Sequence, residues 1–163
     1  MQNNRAIWLK KQDKSNILLE DGLSAARFSK LRMRSFLKPI SHLYPDFETW
    51  LNFTFVRQMG EGKRKIVVAH DGNNVYGCSL LKITPEENKI CTFYVHPDAR
   101  EQNLADDLMR HSLAHFNDKP IISVSEERTK ELQPLLNKHG FEIFASIADM
   151  YRPDRNENFF VSK

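Results

Sequence analysis

Cysteine is scarce in this sequence, with only Cys78 and Cys91 among 163 residues. Two cysteines exclude a disulfide framework, and no cysteine or histidine spacing matches a zinc site, so we expect no metal. The sequence also lacks an apolar run of the roughly 18 residues that a membrane span requires. A chain of this length can bury one sizeable core without disulfides or a metal, which predicts a single domain over residues 1–163.

Signals for disorder, internal repeats and export are missing as well. Hydrophobic residues make up 40% and charged residues 28% of the sequence, which excludes a disordered, collagen-like or fibrous chain. Met1–Lys14 carries four Lys and Arg residues but no apolar core of a signal peptide, so we expect a cytoplasmic protein.

The net charge of +3 is small but unevenly distributed. Residues 1–70 hold 13 Lys and Arg against 6 Asp and Glu, whereas residues 71–163 hold 11 against 15. A basic first half favours an anionic ligand or partner near that half, although it could equally be a solvated face. Nucleic acid is the weakest of these hypotheses, because no aromatic-basic surface motif accompanies the charge.

The spacing of apolar residues predicts elements in the order β-α-α-β-β-β-α-β-α-β-β. Helices are predicted over residues 17–36, 46–59, 103–116 and 129–139, and Pro39 is expected to stop the first. Strands are predicted over residues 5–12, 65–70, 75–84, 89–95, 120–124, 141–150 and 158–161. Because a strand-helix-strand connection over residues 89–124 requires a crossover, part of the sheet must be parallel. These elements predict an α/β (α+β type) fold with a mixed sheet and helices on its faces.

The segment from Thr92 to Met109 carries the most chemical information. A strand ends at Val95, a turn follows, and a helix begins near Asn103. The N-terminus of a helix exposes unpaired backbone N–H groups and the positive end of the helix dipole, so such a turn can hold a phosphate. Arg100 would add a charged donor. The alternative is an ordinary strand-to-helix connection in which Asn103 is only the N-cap residue.

These residues resemble the GNAT superfamily of acyl-CoA-dependent N-acetyltransferases. The hallmark of that family is Val-x-Pro, then Arg/Gln-x-x-Gly-x-Gly/Ala, then an apolar pair. This chain has Val95-His96-Pro97, Arg100-Glu-Gln-Asn103-Leu104-Ala105 and Leu108-Met109. A second family signature, a helix that ends in Gly-Phe, is similar to the segment that ends in Gly140-Phe141. The resemblance extends over essentially the whole chain and implies a mostly antiparallel central sheet of six to seven strands with about four flanking helices.

The resemblance implies that the chain transfers an acetyl group from acetyl-CoA to a primary amine by direct attack. The pyrophosphate of acetyl-CoA would bind to the backbone N–H groups of six consecutive residues: Arg100, Glu101, Gln102, Asn103, Leu104 and Ala105. The pantetheine arm would pair with the edge of the strand that ends at Val95, and a backbone N–H near Val95 would stabilise the oxyanion. The implied partners are therefore acetyl-CoA and an amine acceptor, and no membrane.

The chain departs from the family pattern at three positions. Asn103 stands where the family usually has Gly, and Asn is the least costly substitute for a residue with positive φ. Glu101 places a carboxylate beside the expected phosphate, and Leu136 stands where the family often has a tyrosine that protonates the leaving thiolate. These departures favour one alternative, a non-catalytic GNAT-like module that binds a protein or another ligand.

Tyr94 and His96 flank the end of the same strand and are the candidate catalytic residues, since both can exchange protons. Weaker candidates are Ser125, Tyr151, Glu86 and Glu87. The loop containing His42, Tyr44 and Asp46 is where the resemblance places the acceptor, and the nearby Arg32, Arg34 and Lys38 suggest an acceptor with negative charge. The last two strands could pair two copies of the chain into a homodimer.

Overall fold

The computed structural model describes residues 16–162, apart from the side chains of Glu101 and Gln102. The strand predicted over residues 5–12 lies outside the described residues. The strands are β1 (Leu18–Glu20), β2 (Arg64–His70), β3 (Val75–Ile83), β4 (Asn88–Val95), β5 (Ile121–Ser125), β6 (Phe141–Ala148) and β7 (Asn156–Ser162). They form one sheet in the order β1-β2-β3-β4-β5-β7-β6. Only β4 and β5 are parallel neighbours in this sheet, so the predicted mixed, mostly antiparallel sheet is confirmed.

The helices lie on both faces of this sheet. They are α1 (Ala25–Lys30), α2 (Met33–Ser41), α3 (Phe47–Trp50), α4 (Val56–Gly60), α5 (Leu104–Leu113) and α6 (Glu126–Lys138). A π-helical segment, Leu51–Phe55, joins α3 to α4, and a 3₁₀ segment, Pro97–Gln102, leads into α5. Within residues 16–162, no helix combines the length and the apolar character needed to cross a bilayer.

The predicted helix over residues 17–36 is wrong in its first part and broken in its second. Residues 18–20 form β1 on the edge of β2, and Gly22 then takes a positive φ of 66°. Ser24 begins α1 by accepting a hydrogen bond from the Arg27 N–H at 3.1 Å. Arg32, with a φ of 57°, separates α1 from α2, because a left-handed residue cannot continue a right-handed helix.

Pro39 does not stop the helix, contrary to the prediction, and lies inside α2. A proline removes one backbone N–H and crowds the preceding turn. The helix nevertheless continues to Ser41, since Leu37 and Ile40 bury their side chains in the core and hold the last turn in place. Tertiary packing thus overrides the local signal here.

The other helices differ from the predictions mainly at their ends. The helix predicted over residues 46–59 is interrupted by the π-helical segment. Helix α5 begins as predicted after Asn103 but ends at Leu113, and α6 begins three residues earlier than predicted, at Glu126. Gly140 follows α6 with a φ of 80°, which confirms its predicted place as the residue after the helix end.

The sheet separates two hydrophobic cores. One core lies between the sheet and helices α5 and α6, with Leu104, Leu108 and Leu136 among its buried side chains. The other lies under α1–α4 and includes Phe28, Phe55 and the thiol of Cys78. Each fully buried large side chain contributes about 1.5–3 kcal/mol to stability. Burial on both faces therefore fixes the ends of β4 and β5 relative to all the helices.

Candidate active site

The parallel strands β4 and β5 pair only near their beginnings, at Lys89–Ile121 and Ile90–Ile122. The register between β3 and β4 shifts at the same level, which leaves Cys91 as an extra residue on β4. A β-bulge of this kind bends the strand that contains it. Both strands are fully described, and their remaining residues make no ladder pairs with each other, so a cleft opens between their carboxyl ends.

The β4 edge of this cleft offers backbone hydrogen-bonding groups. The carbonyl of Phe93 accepts a bond from Arg128 Nη2 at 2.7 Å, and the carbonyl of Val95 accepts one from Arg100 Nε at 3.0 Å. The N–H and C=O of one strand residue point to the same side, so the N–H groups of Phe93 and Val95 also face the cleft. An extended ligand can therefore bind there like an added strand.

The two arginines make this edge of the cleft basic. Glu131 links them, since its Oε1 lies 2.9 Å from Arg100 Nη2 and 3.7 Å from Arg128 Nη2. The guanidinium of Arg128 also lies 5.7 Å from the ring centroid of Tyr94. Burial lowers the pKa of Arg128, and the nearby Glu131 carboxylate opposes that shift. The arrangement can attract an anionic ligand into the cleft.

The loop at the end of β4 leads to the N-terminus of α5. Pro97–Gln102, which includes Glu101 and Gln102, forms the 3₁₀ segment. Asn103 follows with a φ of 55°, so the expected positive φ at this position is confirmed. The first bonded N–H of the helix is that of Asp107, to the Asn103 carbonyl at 3.1 Å. Helix geometry leaves the N–H groups before it, including that of Ala105, available to a ligand.

Asp106 lies in the first turn of α5, where a carboxylate would oppose an anionic ligand. Its oxygens lie 2.6 Å from His139 Nε2, 3.2 Å from Lys138 Nζ and 3.3 Å from Arg110 Nη1. The hydrogen bond with His139 lowers the pKa of Asp106 below its usual range. The charge of Asp106 is thus partnered from within the protein, and the helix N-terminus stays suitable for a phosphate.

The two candidate catalytic residues lie in different surroundings. Tyr94 is buried, with its ring 5.2 Å from that of Phe36, and burial raises its pKa, so the phenol is protonated at neutral pH. His96 is partly exposed and caps the 3₁₀ segment, because its Nδ1 accepts a hydrogen bond from the Asp98 N–H at 3.2 Å. The side chains of Val95 and Leu104 are buried in the core, so only their backbone groups can serve a ligand.

A cavity of about 480 Å³ lies on the α3 side of the sheet. Aromatic side chains line it together with charged ones, among them Arg64, Lys82 and Glu87, and residues of β4 and β5 also contribute. Its lining includes Tyr44, Phe47, Trp50, Phe53, Tyr151, Thr92 and Ser123. Of the loop residues predicted for the acceptor site, Tyr44 and Asp46 line this cavity. Because β4 and β5 supply residues to both features, the cavity lies beside the cleft.

Glu157 is a buried carboxylate next to this cavity, and the sequence analysis missed it. It is 3% exposed, and its Oε1 accepts a hydrogen bond from the Tyr44 hydroxyl at 3.0 Å. Ser123 also bonds its side chain, but burial outweighs these bonds and raises the pKa of Glu157. A carboxyl group with a raised pKa can accept a proton near neutral pH. The one signal for it in the sequence is an acidic residue beside the final apolar strand.

Ser125 lies at the end of β5, opposite Glu157 in the β5–β7 register. It is 1% exposed, and its hydroxyl has no hydrogen-bond partner among the described residues. An unpaired buried hydroxyl costs about 1–3 kcal/mol. This hydroxyl is therefore available to a ligand that enters the cleft.

Many solved structures share this fold, and three of them contain CoA or a CoA analogue. The NatC complex bound to Gag peptide and CoA is 18% identical, with a TM-score of 0.69 over 90% of this chain and 97% of that chain. Naa50 of Arabidopsis thaliana, in complex with the bisubstrate analogue CoA-Ac-MVNAL, is 16% identical, with a TM-score of 0.66 over 91% and 99%. The PaiA N-acetyltransferase of Thermoplasma acidophilum, in complex with coenzyme A, is 12% identical, with a TM-score of 0.63 over 90% and 98%.

A comparison of the sequence with family profiles identifies its family. No curated protein matches the chain significantly, but the profile of the acetyltransferase (GNAT) domain matches residues 40–147. That match covers well over half of the chain and includes the cleft, the loop before α5 and all of the described cavity lining except Tyr151. The protein is therefore a member of the GNAT acetyltransferase family.

Proposed function

We propose that the protein is an acetyl-CoA-dependent N-acetyltransferase that acts on a primary amine. The observation that carries the proposal is the divergence of β4 from β5 after the bulge at Cys91, directly before a helix N-terminus. The three structures of similar fold were solved with CoA or a CoA-containing analogue, which supports the same cofactor here.

Acetyl-CoA would lie along the free edge of β4. Its pyrophosphate would bind the backbone N–H groups from Arg100 to Ala105, and its pantetheine amides would pair with Phe93 and Val95. The guanidinium groups of Arg128 and Arg100, which now hydrogen-bond the carbonyls of Phe93 and Val95, would then have to move. Since Arg100 and Arg128 would keep their charge, they could turn toward the phosphates of the cofactor.

The acceptor amine would approach from the aromatic cavity. Its nitrogen would attack the thioester carbon, while the N–H of Val95 stabilises the oxyanion. Glu157, directly or through Tyr44, would accept the proton that the amine loses. The carbon–sulfur bond would then break, and CoA would leave as a thiol after taking up a proton. Tyr94 is better placed than His96 to supply this proton to the thiolate, because the ring of Tyr94 lies beside Arg128 at the cleft.

The cavity favours an acceptor with an apolar or aromatic group beside its amine. The basic residues expected to attract a negatively charged acceptor, Arg32, Arg34 and Lys38, are not among the described residues that line it. Three other basic residues do line it, but they are engaged within the protein: Arg64 with Gln58, Lys82 with Glu87, and Lys89 over the Phe159 ring. Arg34 instead hydrogen-bonds Asn52 and Ser29. We therefore propose recognition through ring contacts, with the amine oriented toward β4 and β5.

Calorimetric titration with acetyl-CoA, repeated with CoA, tests the cofactor. We expect saturable binding of both, and CoA release in the presence of an acceptor found by screening amines and peptides. Absence of binding at millimolar cofactor would contradict the proposal. Binding without turnover of any amine would favour the second candidate, a non-catalytic module, since the fully buried Leu136 cannot donate a proton.

Edge strand β6 is the surface that we propose for a homodimer. Its outer residues Ile143, Phe144 and Ile147 are exposed apolar side chains, and an open strand edge with such residues favours pairing. We expect Phe144→Glu to halve the molar mass measured by light scattering after gel filtration. Phe53→Glu, at an exposed residue away from β6, is the control. A monomeric wild-type protein would refute the proposal.

A further inference from the structure

Two histidines and one aspartate converge on the far side of the sheet from the aromatic cavity. His111 lies in the last turns of α5, His115 follows its end, and Asp21 lies after β1. Both histidine Nε2 atoms contact the same oxygen, Asp21 Oδ2, at 3.1 Å and 2.9 Å. One ligand atom from each residue lies within 4.8 Å of the other two. The three side chains therefore already point toward a common centre.

The distances are close to those of a metal site. In a tetrahedral zinc site with bonds of about 2.0–2.1 Å, neighbouring ligand atoms lie about 3.3–3.4 Å apart. The two nitrogen–oxygen distances here are a few tenths of an ångström shorter than this, and the two nitrogens lie within 4.8 Å of each other, so small side-chain rotations would admit an ion. Imidazole nitrogen and carboxylate oxygen are both ligands that Zn²⁺ accepts.

The charged residues around Asp21 are paired with groups other than Asp21. The neighbouring Glu20 is bound by Arg27 at 2.9 Å and by His70 at 3.0 Å, and Arg110 pairs with Asp106 and Asp107. The hydrogen bond with His111 lowers the pKa of Asp21 below its usual range. The carboxyl group of an aspartate ordinarily ionises well below neutral pH, and the ionised form is the one that binds a metal.

The space between the three side chains is partly open to solvent. The side chains of Asp21, His111 and His115 are 41%, 38% and 17% exposed. An ion can therefore reach the centre from solvent, and a water molecule can complete its coordination. The turn after α5 continues the helical path, with the His115 N–H bonded to the Ser112 carbonyl at 3.2 Å, so the two histidines, four residues apart, share a face.

We propose that Asp21, His111 and His115 bind one Zn²⁺ ion with water as the fourth ligand. The ion would connect the segment after the short edge strand β1 to the C-terminal end of α5. It would therefore stabilise the position of β1 on the sheet without entering the proposed acetyl-CoA cleft, which lies at the other end of α5. This site differs from the expectation of no metal, which rested on sequence spacing alone.

Titration of the tag-free, chelator-treated full chain with Zn²⁺ tests this site. We expect saturable binding of one ion per chain and a rise in melting temperature that grows with zinc concentration, because the ion binds only the folded form. Asp21→Asn, which keeps the shape but loses the charge, and His111→Ala should each weaken binding by about tenfold or more. His42→Ala removes an exposed histidine outside the cluster and should bind zinc like the wild type.

Co²⁺ gives a second readout, since a tetrahedral Co²⁺ ion absorbs visible light much more strongly than an octahedral hydrated one. We expect this absorption in the wild type and its loss in Asp21→Asn and His111→Ala. Equal zinc affinity in the wild type and both variants would overturn the proposal, as would no saturable binding at all. Acetyl-CoA affinity is measured in the same samples. Because zinc binding is read out separately from cofactor binding, failure of the zinc site and failure of the proposed activity can be told apart.

Discussion

Ala105→Glu is expected to abolish acetyl-CoA binding while the protein stays folded. Ala105 lies in the first turn of α5, two residues after Asn103, and its side chain is half-buried beside the loop. A glutamate there would place bulk and negative charge where the pyrophosphate must approach the free N–H groups. We expect at least about a 100-fold loss of affinity, equivalent to roughly 2.8 kcal/mol.

Ala114→Glu is the matched control for this variant. It makes the same substitution at the exposed residue that caps the other end of α5, and a charge there changes stability by about 0.3–1 kcal/mol. Circular dichroism and thermal unfolding should show both variants folded, and calorimetry should show acetyl-CoA binding only in Ala114→Glu. Unchanged affinity in Ala105→Glu would mean that the cofactor does not use this loop.

The loop before α5 could be predicted because its signal is local. A strand end, a proline and an asparagine that tolerates positive φ all occur within a few residues, and the structure places Asn103 at a φ of 55°. The order of the elements from β2 onward was predictable for the same reason, since the apolar period changes where helices give way to strands, whereas the sequence pattern predicted a helix where β1 lies. These features need no knowledge of distant contacts.

The parts that could not be predicted depend on contacts between distant segments. The bulge at Cys91 exists only in the register between β3 and β4, and no sequence pattern specifies that register. Glu157 meets Tyr44, which lies 113 residues earlier, and Asp21 meets His111, which lies 90 residues later. Pro39 does not end the helix, because the burial of Leu37 in the core stabilises the helical turn that contains it.

Glu157→Gln is expected to lower kcat by about 10²–10⁴-fold, the usual contribution of a general base. Glutamine keeps an oxygen that can accept the hydrogen bond from Tyr44, but it cannot take a proton from the amine. The KM for acetyl-CoA should stay close to the wild-type value, because the cofactor would bind along β4 and not at Glu157. Glu126→Gln, at a carboxylate that pairs with the exposed Arg155, is the control and should keep wild-type kcat.

The dependence of kcat on pH separates proton transfer from a structural role. Wild-type kcat should rise with pH through the raised pKa of Glu157 and then level off, since only the ionised carboxylate accepts a proton. Glu157→Gln should lose this rise and keep a low rate throughout. A variant that retains both the wild-type kcat and the rise would exclude Glu157 as the proton acceptor.

The stability of the same variant should change in the opposite direction to its activity. Burial raises the pKa of Glu157 in the folded state, so its favourable contribution is present at low pH and is lost as pH rises through that pKa. Above that pKa the wild type therefore holds a buried negative charge that glutamine removes. Urea unfolding should show that Glu157→Gln gains stability relative to the wild type as pH rises from about 4 through the raised pKa of Glu157. A residue kept for proton transfer at a cost in stability gives this combination, whereas a residue kept only to hold Tyr44 would lose stability and activity together.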